Sequence, residues 1–203
     1  SGADAGPENT VNGSGLNAAD EHSLASEDAW LATWDASEPL WIQFEFDAVH
    51  KLHQMFVWNY NSQFEMVLGF GLKDVSVEYS TDGDEWTAFG DVQLARATAT
   101  ATYTCNTTID FEGVAARYVR LVVNSGWGTM GQYGLSEVRF TYLPVLAREP
   151  EPADGAVDVS VEALLDWRTG REAVAHEVLL GTDPETLAVV EAVAASQYDP
   201  GTL

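Results

Sequence analysis

Val75-Ser76-Val77-Glu78-Tyr79-Ser80-Thr81-Asp82-Gly83-Asp84-Glu85-Trp86 is the stretch whose reading decides the fold. Val75, Val77 and Tyr79 alternate with Asp74, Ser76 and Glu78. A period of two puts successive side chains on opposite faces, which describes a strand with one face on a core and one in water. The segment Ser80 to Asp84 then supplies an Asp-Gly turn, the short-range signal of a hairpin. The same alternation recurs on both sides of this stretch. Ile42, Phe44 and Phe46 alternate with Gln43 and Glu45, and Val138, Phe140 and Tyr142 alternate with Glu137, Arg139 and Thr141. Residues 52–60 and 118–123 are more continuously apolar and are predicted to be buried on both faces. Tyr103, Cys105, Thr107 and Ile109 share one face of a further strand, which makes Cys105 a small core residue rather than a reactive thiol. Helical periodicity is absent before residue 143 except for a short turn from Ser26 to Leu31, with Ser26 as its N-cap. These segments predict an all-β chain built as an antiparallel sandwich or barrel.

The 203 residues leave room for one full domain and a smaller piece. Composition changes at Leu143, where Pro144, Pro150 and Pro152 read as a stiff linker over 144–152. Beyond it, residues 163–167 and 176–180 look like two more strands, followed by a turn at 182–185. The segment 153–203 is shorter than the roughly 100 residues an immunoglobulin-like sandwich needs, so an incomplete unit is expected there. Acidic side chains number 32 against 9 basic ones, for a net charge of −23. That balance repels a phosphate backbone and disfavours an anionic membrane surface. It favours a soluble monomer within a multidomain chain. No apolar run approaches the ~18 residues of a membrane span. A single cysteine excludes an intrachain disulfide.

Four stretches taken together carry a family likeness: residues 41–46 (WIQFEF), 75–83 with Trp86 (EYSTDG..W), 116–121 (ARYVRL) and 134–140 (GLSEVRF). In order and spacing they resemble the coagulation factor V/VIII type C (discoidin) domain across residues 8–143, in its bacterial galactose-binding-like form. Family 32 carbohydrate-binding modules are the functional relatives this resemblance implies. It implies an eight-stranded jelly-roll β-sandwich over 1–143, acting as a non-catalytic module of a larger secreted or surface bacterial protein that binds polysaccharide or glycan. Residues 152–156, 165–167 and 178–183 resemble the opening of a fibronectin type III-like module, expected over 153–203. The alternative role is a protein-interaction, adhesion or spacer module at the cell surface, which calls for a broader apolar patch.

The resemblance also implies a structural Ca2+ ion where the N-terminal loop meets the last strand. Hard cations take about 6–8 oxygens, with carboxylates supplying charge. Glu137 stands where the family places its closing carboxylate, and Asp20, Asn12 and Ser23 are the further ligand candidates from the oxygen-rich loop 12–23. Asn12-Gly13 replaces the family's Asp-Gly, which lowers site charge. A solvated acidic loop is the competing description.

A sugar site needs an aromatic platform beside amides, carboxylates or guanidinium groups. The family places it on end loops, which here are residues 59–65 and 124–133. The candidates are Trp127, Asn124, Asn59, Asn61 and Tyr133, with Trp34 from a further loop. Packing under the N-terminal loop competes as a role for Trp127, and turn capping competes for Asn59 and Asn61. The arginine and histidine that many members use are missing, so galactose specificity is not supported. Trp30 and Trp41 are expected to be structural, and Trp58, Trp86 and Trp167 to be core. His50 and His53 fall on opposite sides of a strand and do not suggest a zinc site. The Gly-x-Ser-x-Gly elbow, the His-Glu-x-x-His pair and the phosphate-binding loop are all missing from the sequence, so no catalytic role is expected.

Overall fold

The alternating segment at residue 42 is the first part of one long strand. The computed structural model describes residues 5–34 and 37–201. In it, β1 (Trp30–Thr33) precedes the 19-residue β2 (Trp41–Asn59). There follow β3 (Asp74–Ser80), β4 (Thr87–Gln93), β5 (Thr107–Asp110), β6 (Ala115–Val123) and β7 (Gln132–Tyr142). The pairing is antiparallel, and β2 takes part in two sheets. Its first part pairs with β6, from Trp41 opposite Val122 to Lys51 opposite Ala115, with a register shift between Glu45 and His50. Its second part pairs with β7 and β5. One sheet is therefore β2–β6–β3–β4 and the other β1–β7–β2–β5. The eight-stranded pattern expected appears as seven assigned strands because β2 serves as two.

The core lies where the inward faces of the sheets meet. Ile42, Phe44, Val75, Val77, Val119 and Leu121 come from one side, and Met55, Val57, Leu135 and Val138 from the other, all buried. Each such side chain contributes about 1.5–3 kcal/mol when fully buried. The strand predicted from Tyr103 is shorter, beginning at Thr107. Tyr103 instead joins Trp58 and Ala97 in a second small cluster, with Cys105 packed against it. The turn at Ser26–Asp28 is a single 3-10 turn capped by Ala25, not Ser26. It ends there because buried Trp30 already lies in the extended β1.

The chain divides into two compact units, Ser1–Tyr142 and Leu143–Leu203. In the second, β8 (Arg148–Glu151), β9 (Leu165–Arg168) and β12 (Gln197–Tyr198) form one sheet, and β10 (His176–Leu180) with β11 (Ala188–Val193) forms another. The segment expected to be linker thus contains a strand, with Arg148 opposite Arg168 and Glu151 opposite Asp166. Pro150 is compatible with this because β8 is an edge strand, where a missing backbone donor is tolerated. Trp167 is only half-buried rather than core, and its ring meets His176 edge-on at 5.3 Å.

Candidate functional site at the loop end of the sandwich

Antiparallel register brings the end of β1, the end of β2, the start of β3, the end of β6 and the start of β7 to one end of the first unit. Direct backbone bonds tie the loops there: Trp34 N–H to Gly131 O at 2.9 Å, Lys73 N–H to Ser125 O at 2.8 Å and Trp127 N–H to Gly71 O at 3.0 Å. The short helix α1 (Glu65–Leu68) ends at Gly69, in the left-handed region at φ 68°. Neither Gly69 nor Gly128 has room for a side chain, since a Cβ on either would strike the backbone of the other's loop. That close approach docks the 124–131 loop on α1.

Asn59 and Asn61 are fully buried and form the frame beneath these loops. The Asn59 amide donates to Leu72 O at 2.7 Å and Ala95 O at 2.8 Å, and its Oδ1 accepts from the N–H groups of Tyr60 and Leu72, both at 2.9 Å. The Asn61 amide is directed at the carbonyls of His22, Ser23 and Thr100 at 2.9–3.1 Å. Both were expected to bind ligand; burial and these backbone bonds take them out of ligand reach, which corrects that expectation. Beside them, the buried Glu65 carboxylate accepts from Phe70 N–H at 2.9 Å and Gly71 N–H at 3.1 Å, and Arg96 Nε lies 3.5 Å away. Burial pushes its pKa upward, opposed by the two N–H groups and Arg96.

The aromatic candidates lie nearer the surface. Trp34 and Tyr133 are half-buried and meet edge to face at 5.7 Å. Trp34 Nε1 donates to Glu38 O at 2.6 Å. Trp127, also half-buried, donates from Nε1 to Leu94 O at 3.2 Å and has Lys73 Nζ 5.4 Å and Arg96 6.0 Å from its ring. It thus lies against the 94–96 segment. Asn124 is exposed, but its amide donates to Ser76 Oγ at 2.9 Å on β3, away from the Trp34–Tyr133 pair. Sequence reasoning missed an exposed apolar tip: Phe64, Met66 and Val67 around α1 are 60%, 58% and 82% exposed, and Met130 in the facing loop is 61% exposed. Its one signal was three large apolar residues in four positions without strand alternation. The end can therefore offer aromatic edges and apolar surface to the C–H face of a ligand, beside two cationic side chains.

The four calcium candidates are not all together. Glu137 is 2% exposed, lines a cleft with Asn12 and Gly13, and accepts the Gly13 N–H at 3.2 Å. Its other oxygen lies 3.9 Å from Arg139 Nε, and burial raises its pKa. A buried carboxylate so lightly bonded, facing the oxygen-rich loop, fits a divalent cation. The remaining side chains have other partners: Asp20 takes Arg139 Nη1 at 2.8 Å, Ser23 donates to Asp28 at 2.6 Å, and Asn12 bonds Asn9 at 3.2 Å and Ser14 N–H at 2.8 Å. Among the described residues, no group of three or more His, Cys, Asp or Glu side chains is placed to hold a metal.

The F5/8 type C domain family matches residues 3–138. Among solved structures, CBM32-3 from a family 31 glycoside hydrolase of Clostridium perfringens is 19% identical, with a TM-score of 0.50 over 68% of this chain and 83% of that one. An F5/8 type C domain from Bacteroides fragilis is 14% identical, with a TM-score of 0.49 over 68% of this chain and 81% of that one. No curated protein matches. The family match over residues 3–138 spans about two thirds of the chain, and the chain belongs to the F5/8 type C domain family.

Proposed function

We propose that the first unit is a carbohydrate-binding module of a secreted or cell-surface protein, taking a glycan at its loop end. The F5/8 type C domain is a non-catalytic fold, so any chemistry on that glycan belongs to other domains. The observation that carries the reading is the Trp34–Tyr133 pair, half-exposed and held by a backbone bond from Trp34 N–H to Gly131 O at 2.9 Å. A rigid aromatic edge costs little ordering entropy when a pyranose C–H face settles on it. Trp127, with Lys73 and Arg96 against its ring, extends this surface. A calcium ion held by Glu137, with oxygens of loop 12–23, would brace the N-terminal loop against β7; calcium supplies charge there and takes no part in recognition. The second unit is proposed as fibronectin type III-like, supported by its two small antiparallel sheets.

A glycan array probed with the full chain tests this reading. Binding to at least one glycan is expected, with loss of about tenfold or more in affinity for Trp34→Ala or Tyr133→Ala, as for a central aromatic contact. Unchanged affinity in both variants would remove the loop end as the site. The exposed tip of Phe64, Met66, Val67 and Met130 favours a second reading, a protein-binding or adhesive surface. Under it, Val67→Asp abolishes partner capture while glycan binding is absent from the start.

A further inference from the structure

The outward face of the β2–β6–β3–β4 sheet carries side chains that its alternation does not require. The wet face of an antiparallel sheet is ordinarily polar. Here Trp41, first residue of β2, is 49% exposed. The Arg120 guanidinium lies 5.8 Å from its ring and 4.0 Å from the ring of Trp86. The Trp86 and Tyr118 rings are 6.4 Å apart. Trp41 and Trp86 were expected to be structural and core; the first faces solvent and the second lies half-buried against this same guanidinium. Trp41 sits opposite Val122 and Tyr118 opposite Ser80, so the four side chains form a stripe along β6, from its end toward the β3–β4 turn.

Polar groups accompany the rings. Arg120 donates twice to Glu78 Oε2, at 2.6 and 2.9 Å, and Arg117 donates to Glu45 at 2.9 Å. The exposed amide of Gln43, directly across from Arg120, has no hydrogen-bond partner among the described residues. Each cation on the stripe is thus paired with a carboxylate, and Asp82, Asp84, Glu85 and Asp91 stand at the turn and on β4. Such a face presents ring surface and hydroxyl-bonding groups with no uncompensated positive charge, so a neutral chain fits it and a polyanion does not.

We propose that this sheet face is a second glycan-binding surface, on which Trp41 and Trp86 flank Arg120 and hold an extended neutral polysaccharide. This rests on the glycan-binding reading of the domain and adds a site separate from the end loops. Two sites on one module would raise avidity for long chains over short oligosaccharides without any new contact at the loop end.

The test is affinity electrophoresis of the full chain in native gels containing galactomannan, xyloglucan or laminarin, with sodium polygalacturonate as the polyanion. Wild type should be retarded by at least one neutral polymer and not by polygalacturonate. Trp41→Ala should weaken that retardation about tenfold, with Trp41→Phe retaining most of it. Trp41 lies half outside the fold, so its melting temperature serves as the folding control, and Trp86→Phe provides a second probe within the stripe. Unaltered retardation of Trp41→Ala, alongside loss in Trp34→Ala, overturns the sheet-face site and leaves the loop-end reading standing. Loss in Trp41→Ala with wild-type behaviour in Trp34→Ala and Tyr133→Ala does the reverse. Stronger retardation by polygalacturonate overturns the neutral-chain assignment, and no retardation by any neutral polymer overturns the sheet-face site, while the loop-end reading stands or falls on the glycan array.

Discussion

Gln43 and Asn59 are amides on the same strand, β2, and they serve opposite ends of the protein's polar economy. Asn59 lies under the loop end, where Leu72, Ala95 and Tyr60 use both its donors and its acceptor. Gln43 lies on the outer sheet face between Trp41 and Arg120, with its amide exposed. The region beneath the loops spends its polar groups on holding backbone that no sheet ladder satisfies. The sheet face has less such need, because the backbone of β6 and β3 is paired on both sides and that of β2 around Gln43 is held by β6, so its side chains are left for solvent or a ligand. Residue type alone does not separate a frame from a recognition surface; the unpaired backbone nearby does.

The sharpest way to break this contrast is Asn59→Ala. It strips partners from the carbonyls of Leu72 and Ala95 and the N–H groups of Tyr60 and Leu72. A buried group left unsatisfied costs about 1–3 kcal/mol, so a loss of about 3–5 kcal/mol is expected in thermal or urea unfolding. Asn59→Asp should fare no better, since it turns an acceptor toward two carbonyls. Gln43→Ala should stay within about 0.5 kcal/mol. Comparable losses at both positions would remove the distinction drawn between the two regions.

The next effect is that of calcium. If Glu137 holds the ion, calcium at about 100 times its Kd stabilises the folded state by about 2.7 kcal/mol. Chelation should lower the melting temperature of wild type, and Glu137→Gln should abolish the response. A melting curve indifferent to calcium would leave Glu137 as a carboxylate bonded only to Gly13 and Arg139.

Glu65 gives a smaller, pH-dependent effect. Burial raises its folded pKa above the ordinary 4.5. A carboxyl group shifted upward contributes stability that is full below the ordinary value and lost as pH rises through the folded one. On acidification from neutrality, wild type should therefore gain stability relative to Glu65→Gln, which cannot titrate. Urea midpoints for both proteins between pH 7 and pH 4 measure this, and a constant gap would mean that Arg96 and the two N–H groups offset the burial cost entirely.

Much of the fold is legible in alternation. Val75, Val77 and Tyr79, like Ile42 and Phe44, name the inward face directly, and the same parity puts Trp41 outward, one position before Ile42. A structural role is nonetheless what its position suggests, because Trp41 precedes the alternating run rather than lying within it. Trp86 follows a turn, where parity is lost. The loop end was less legible. The burial of Asn59 depends on which loops fold over the end of β2, and the pairing of Asp20 with Arg139 depends on contact between segments far apart in sequence. Ser23 and Asp28 bond within one loop at 2.6 Å, a partnership their spacing does not announce. Tertiary placement, not local pattern, decides these positions.

The smallest effect belongs to the outer face itself. Arg117 and Glu45 are joined at 2.9 Å with side chains 42% and 55% exposed. In water such a pair is screened and costs side-chain entropy to hold, so Arg117→Ala should change stability by no more than about 1 kcal/mol. Arg120 differs by degree: with 23% of its side chain exposed, it donates twice to Glu78 and lies 4.0 Å from the Trp86 ring. A double-mutant cycle between Arg120 and Trp86 should return a coupling of about 0.5–1 kcal/mol, the scale of a partly solvated cation–π contact, where Arg117 and Glu45 return less. Apart from one long bond from Arg117 Nε to Phe46 O at 3.4 Å, neither pair supports backbone, so both variants should unfold cooperatively, close to wild type. A cycle energy of several kcal/mol would place Arg120 with Asn59 as part of the frame, and the stripe of Trp41, Arg120 and Trp86 would then have a structural reason to exist.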